Sequence, residues 1–400
     1  MPPGARAGKI AAALLAFSLQ LAGCAVERTG GEAPTPGLAP LDAVFRAWME
    51  RSGVAEASLA VGHADRLVGA FGYGGRDAGE RVLVASLSKA ITGLCLGTLV
   101  DDGRLGFDTR VDIALAGFFA REGQPADPRL GGATLGQMLA HRGGFDRDAA
   151  PDAVTGPTLQ RYLRAHRASD ESGDALLAAT LEATLPRAPG SAFRYANAPY
   201  LLLGVAIAEA DGRPYAEACR ARVLAPLGIA DAALDPDWAV LSSFGGWKLS
   251  APEYLAFLRG FDADSPVLGP KARDFLLDAN GKAAPGGRGA HYALGTLARV
   301  QPGGATVWHS GRWLWRNAGF GDGPPSTDVG AYFVRLANGD AFVATYSPLP
   351  SESATRELDR DLVAALRAVT RWPEDDLYAR YGVGPVTRRG SAAAGPRSGP

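Results

Sequence analysis

Histidine, cysteine and lysine are scarce in this chain, with five, three and five copies in 400 residues. The five histidines are scattered and have no metal-ligand spacing, so nothing in the sequence asks for a metal. Net charge is also small: 41 basic residues face 42 acidic ones, a formal charge of -1. No excess of basic charge favours nucleic acid, and no local basic patch replaces it. Long apolar runs are missing as well. The one candidate, residues 10–21, is too short for a comfortable transmembrane span. There is no internal repeat.

That apolar run follows two positive charges, Arg6 and Lys9, and ends in Leu21-Ala22-Gly23-Cys24, the order of charged, apolar and small residues found in a secretion signal. A cysteine at its end resembles the bacterial lipoprotein signal, in which Cys24 would carry the lipid and begin the mature chain after removal of residues 1–23. Loss of Arg6 and Lys9 would leave 39 basic residues against 42 acidic, or -3. Residues 24–40, rich in Gly, Pro, Thr and Glu without apolar periodicity, read as a flexible tether. The expected location is the cell envelope, lipid-anchored to a membrane and facing the periplasm. Cys95 and Cys219 lie in apolar helix-like runs and are expected as buried free thiols rather than one long-range disulfide.

The 47% hydrophobic content can bury a sizeable core. Leu41, Val44, Phe45 and Trp48 recur at helical spacing, and residues 57–73 read as two strands turning at Ala64-Asp65. From residue 86 to 100 the apolar positions cover most of a helical circumference, which predicts a buried helix. Residues 103–240 are mainly helical in period, without a strong strand signal. Ser250-Ala251-Pro252-Glu253 carries a capping box. Strands return at 306–309 and as a hairpin, 331–336 with 341–346, followed by an amphipathic helix with Leu358, Leu362, Leu366 and Val369 on one face. Strands at both ends and helices in the middle predict an α+β sandwich: one antiparallel sheet flanked by helices, with an inserted helical lobe. The globular domain should span residues 41–370, with 371–400 a tail disordered at its end.

Ser86-Leu87-Ser88-Lys89 opens the buried helix, and the spacing of three puts both functional side chains on one face. Burial disfavours an ammonium, so Lys89 could act as a base towards Ser86 near neutral pH. The alternative is a helix cap and a solvated lysine; with 19 Ser and five Lys, S-x-x-K arises by chance about 0.25 times per chain of this composition. Tyr195-Ala196-Asn197 follows a Pro- and Gly-rich turn, from which a phenol could relay a proton, though a packed tyrosine and a turn asparagine would look the same. His309-Ser310-Gly311 ends a strand, and a lone histidine there would more often be structural.

Together S-x-x-K, Y-x-N and H-x-G resemble the serine hydrolases that include class C β-lactamases, D,D-peptidases, D-amino-acid amidases and esterases. Thr134-Leu135-Gly136-Gln137-Met138-Leu139-Ala140-His141 with Gly143-Gly144, and Tyr200-Leu201-Leu202-Leu203-Gly204 running to Pro226-Leu227-Gly228-Ile229, extend the likeness over residues 41–369. The resemblance implies a β-lactamase/penicillin-binding-protein fold and no cofactor. It makes Ser86 the acylated nucleophile, Lys89 its base or base partner, Tyr195 the proton carrier and Asn197 a substrate-orienting amide. His309 would tune Tyr195, Ser310 and Gly311 would border the substrate, and the backbone N–H groups of Ser86 and Arg312 would form the oxyanion hole.

The implied substrate is a small-molecule or peptide ester or amide; an esterase or D-amino-acid peptidase or amidase is favoured over an efficient β-lactamase. Relatives often have lysine where His309 stands, and a neutral imidazole holds a substrate carboxylate weakly. Arg312 or Arg316 could replace that lysine, and Trp313 and Trp315 could line an aromatic pocket or join the core. The rival reading is a catalytically silent envelope lipoprotein that binds a muropeptide or a protein partner.

Overall fold

The structure is a computed structural model that describes residues 27–387 except 32, 150, 151, 153, 155, 166–168, 170–172 and 318–322. Cys24, the expected leader and the end of the expected tail therefore lie outside the described residues. The strands are β1 (Arg28–Gly31), β2 (Glu56–His63), β3 (Arg66–Tyr73), β4 (Val82–Leu83), β5 (Ala233–Leu234), β6 (Trp247–Leu249), β7 (His291–Ala293), β8 (Thr296–Gln301), β9 (Gly304–Trp315), β10 (Thr327–Arg335) and β11 (Ala341–Ser347). Six helices matter here: α1 (Ala39–Ser52), α2 (Ser88–Asp101), α3 (Ala198–Asp211), α4 (Tyr215–Cys219), α5 (Ala251–Leu258) and α6 (Glu352–Arg367).

Eight strands form one antiparallel sheet in the order β1-β3-β2-β11-β10-β9-β8-β7. Its register follows from its turns. Ala64 and Asp65 both adopt positive φ, 47° and 61°, the backbone that joins twisted strands through a two-residue loop. The β10–β11 turn closes through Leu336 N–H donating to the Asp340 carbonyl at 2.8 Å.

One face of the sheet is covered by α1 and α6, which bury Leu41, Phe45 and Trp48 together with Leu358, Leu362 and Leu366. On the other face lies α5, entered through the capping box: Glu253 N–H donates to Ser250 Oγ and Ser250 N–H to Glu253 Oε2. The helical lobe adds α2, which is buried from Ser88 to Val100 around its whole circumference, and α3 beside it. This is the expected sandwich with its inserted lobe.

Three expectations need correction. Part of the supposed tether, Arg28–Gly31, is an edge strand paired with β3, because backbone hydrogen bonding to an open sheet edge needs no apolar period. Cys95 on α2 and Cys219 on α4 are joined in a disulfide, since the lobe brings their Cα atoms to 5.3 Å. The returning sheet begins earlier than residue 306, with β7 and β8. A second, three-stranded sheet, β4-β6-β5, also escaped the sequence reading because its strands are only two or three residues long.

Candidate active site

Ser86 lies in a single turn of 3-10 helix, Ala85–Leu87, and α2 begins just after it at Ser88. Ala85 holds φ at 49°, a left-handed conformation that costs a non-glycine residue energy and bends the chain into the site immediately before Ser86. Lys89, one turn on, is fully buried.

Lys89 Nζ sits 3.2 Å from Ser86 Oγ, 2.8 Å from Asn197 Oδ1 and 2.9 Å from the Phe244 carbonyl. Two of these neighbours can only accept hydrogen bonds. A neutral amine has two N–H donors for them and one lone pair left, facing the only neighbour that can donate, the Ser86 hydroxyl. The electrostatics agree: burial pushes Lys89 well below the ordinary lysine value, the Arg147 charge pushes the same way, and Asp152 opposes it.

Asn197 caps α3. Its N–H and that of Ala198 donate to the buried Asp152 carboxylate, which thereby fixes the end of the helix that presents Asn197 to Lys89. The Asn197 side-chain oxygen is therefore committed to the amine.

The Tyr195 hydroxyl is buried with no hydrogen-bond partner at normal geometry. Burial raises its pKa, and the neighbouring Ser86 hydroxyl pulls it partly back. Around the ring stand Lys89 Nζ, 4.9 Å from the centroid, the His141 ring at 4.3 Å and the His309 ring at 6.0 Å.

His309 is neutral, its pKa depressed to about 3 by burial first and by Lys89 second. Nδ1 is 2.7 Å from the Ser310 carbonyl, an acceptor, so Nδ1 carries the proton. Nε2 then accepts from the Tyr292 hydroxyl at 2.8 Å. The direct partner of this imidazole is thus Tyr292 rather than Tyr195.

Gly311 lets β9 lie against the turn that carries Ser86: a Cβ there would come within 2.3 Å of the Val84 carbonyl and 3.4 Å of Ser86 N. Strand alternation puts His309, Gly311 and Trp313 on this face and Ser310 and Arg312 on the other. The Arg312 guanidinium reaches Thr355 of α6 at 3.4 Å, and Ser310 and Arg312 line a separate cavity of about 610 Å³ beneath α6. Neither side chain borders Ser86, so only backbone atoms of these two residues remain available to a substrate. Arg316 is paired with Asp328 at 2.7 Å. Neither arginine replaces the missing lysine. Trp315 is buried, while Trp313 is half-buried; both pack edge-on against Trp238, at 5.0 Å for Trp313 and 5.6 Å for Trp315.

The depth of the site is set by backbones in contact. Gly295, at φ 77°, lies so close to α2 that a Cβ would stand 1.9 Å from the Lys89 carbonyl, and one on Gly93 would meet Leu294 at 2.1 Å.

Three participants were missed: Asp152, whose only signal is an isolated acid in a loop; Tyr292, on an unrecognised short strand; and His141, seen only as part of a longer motif. Among the described residues, no group of three or more His, Cys, Asp or Glu could hold a metal ion.

A family model described as Beta-lactamase matches residues 41–348. The chain belongs to the beta-lactamase family of serine hydrolases. A penicillin-binding protein 4 from Amycolatopsis lactamdurans is 28% identical over 156 residues, 39% of this chain and 36% of the relative, so the chain matches little more than a third of that protein's length. Among solved structures, a D-stereospecific amidohydrolase from Streptomyces sp. superposes with a TM-score of 0.63 at 18% identity, covering 83% of this chain and 99% of that one. A D-amino acid amidase from Ochrobactrum anthropi SV3 gives 0.62 at 16% identity, with 83% and 99% covered. These two likenesses establish the beta-lactamase-type fold.

Proposed function

We propose that this beta-lactamase-family chain cleaves an ester or amide bond through an acyl-enzyme on Ser86, with a D-amino-acid peptide, amide or small ester as substrate. The observation that carries the proposal is the Lys89 amine, 3.2 Å from Ser86 Oγ and surrounded otherwise by acceptors. The lone pair of Lys89 takes the hydroxyl proton as Ser86 Oγ attacks the carbonyl carbon. The N–H groups of Ser86 and Arg312 receive the oxyanion, and Tyr195 delivers a proton to the departing nitrogen or oxygen. Water then hydrolyses the Ser86 ester. Lys89 and Tyr195 work as one coupled pair.

Efficient β-lactam hydrolysis is the less favoured activity, because neutral His309 offers no fixed cation to a substrate carboxylate. A fluorophosphonate probe followed by intact-mass analysis should label the wild type once and leave Ser86→Ala unlabelled. Equal labelling of both, or of neither, would refute the acyl-enzyme. Short-chain p-nitrophenyl esters, D-alanyl peptides and a chromogenic cephalosporin, assayed side by side, rank the substrate classes.

We also place the protein in the bacterial envelope, anchored through a lipid on Cys24. The Cys95–Cys219 disulfide supports an oxidising compartment. Expression in a bacterial host should yield a membrane-bound form that Cys24→Ser releases; an unchanged distribution would count against the anchor.

A further inference from the structure

His309 leaves the third motif without a cation, yet one lies against the site from another direction. The guanidinium carbon of Arg147 stands 5.1 Å from the centroid of the Tyr195 ring, the same ring that has Lys89 Nζ 4.9 Å away. Arg147 belongs to the loop after His141 and lines an open cleft of about 410 Å³ with Arg187, Phe193, Arg194 and Tyr195 and with two carboxylates, Asp146, which both of those arginines neutralise, and Asp148.

Its neighbours are already spent. Arg187 and Arg194 both pair with Asp146, at 2.6 and 3.1 Å. Arg142 donates to the Gly190 carbonyl, Arg312 lies on the far face of the sheet, and Arg316 pairs with Asp328. Among the described arginines that line this cleft, Arg147 is the one without an ion pair. It is exposed to solvent at the mouth, where a ligand can reach it.

We propose that Arg147 is the carboxylate anchor of the site and selects acyl donors whose leaving group carries a free α-carboxylate, such as the last residue of a peptide. This rests on the acyl-enzyme reading of Ser86. Tyr195 faces the leaving group in that reading, so a cation against its ring lies on the leaving-group side. A terminal carboxylate sits within one residue, about 3.5 Å, of the scissile carbonyl, and an arginine fork can hold both its oxygens. Arg147 binds and orients; it takes no part in proton transfer or bond making.

The test compares an acyl-D-alanyl-D-alanine peptide with its C-terminal amide, using kcat/KM in the wild type, Arg147→Gln and Arg147→Lys. The wild type should prefer the acid. Arg147→Gln should lower the acid-to-amide ratio by at least about tenfold, chiefly through KM for the acid, and Arg147→Lys should restore part of it. The ratio discounts any general effect of the lost charge on Lys89 or Tyr195. Ser86-dependent turnover with an unchanged ratio in Arg147→Gln would overturn the anchor alone. No Ser86-dependent turnover of any substrate would overturn the hydrolase reading and this proposal together.

Discussion

The two faces of the large sheet differ in the charged groups they bury. Behind it, α1 and α6 close an apolar layer in which Trp48 is fully buried, stacked near Phe45 and edge-on to Tyr346, with its ring N–H donated to the Ala354 carbonyl at 2.7 Å. The buried acid of that layer, Asp42, is matched by Arg46 at 3.1 Å and the Tyr73 hydroxyl at 2.9 Å. In front, the lobe buries an amine and two histidines forced neutral by desolvation, and the Tyr195 hydroxyl, like that of Tyr346 behind, has no hydrogen-bond partner. Every one of those groups costs stability where it sits. The back holds the fold together, and the front spends some of that stability on reactivity.

Separate substitutions can break this contrast. The largest effect is expected from Lys89→Met, which should lower kcat by about 10³-fold, within the range for loss of a positioned base, while Tm stays level or rises because a buried amine is gone. A Tm fall of more than a few degrees would mean that the lysine supports the fold after all.

Trp48→Ala should do the reverse. It should cost about 3–5 kcal/mol in urea denaturation and leave kcat of the folded fraction unchanged. A large kcat loss there would show that the two faces are mechanically linked.

The smallest effect is the acid response of His309. As pH falls from 6.5 towards about 3, the unfolded chain binds a proton on this residue that the folded chain does not, so stability declines on acidification. His141, also depressed by burial, adds to the same slope. His309→Gln should flatten part of the decline between pH 7 and pH 5, measured as urea midpoints; an unaltered slope would remove His309 from the account.

What was legible in the chain depended on whether its signal was local. The Ala64-Asp65 turn, the capping box at Ser250 and the leucine stripe of α6 are set by neighbours a few residues apart, and each stands where periodicity put it. Ser86 and Lys89 were equally readable, since one helical turn brings them together. The Cys95–Cys219 pairing was not, because 124 residues separate two cysteines whose approach depends on the packing of the whole lobe. Asp152 and Arg147 lie in a loop with no pattern to mark them. The far-face position of Arg312 was available in principle: once His309 and Gly311 were set facing Ser86, strand parity already sent Arg312 the other way.

Where Gly295 and Gly93 allow α2 to touch the β7–β8 turn, backbone meets backbone with no room for a methyl group. Any residue larger than glycine at either position would have to push the helix and the turn apart, and Lys89 rides on that helix. The position of the amine is therefore set by two side chains that are absent.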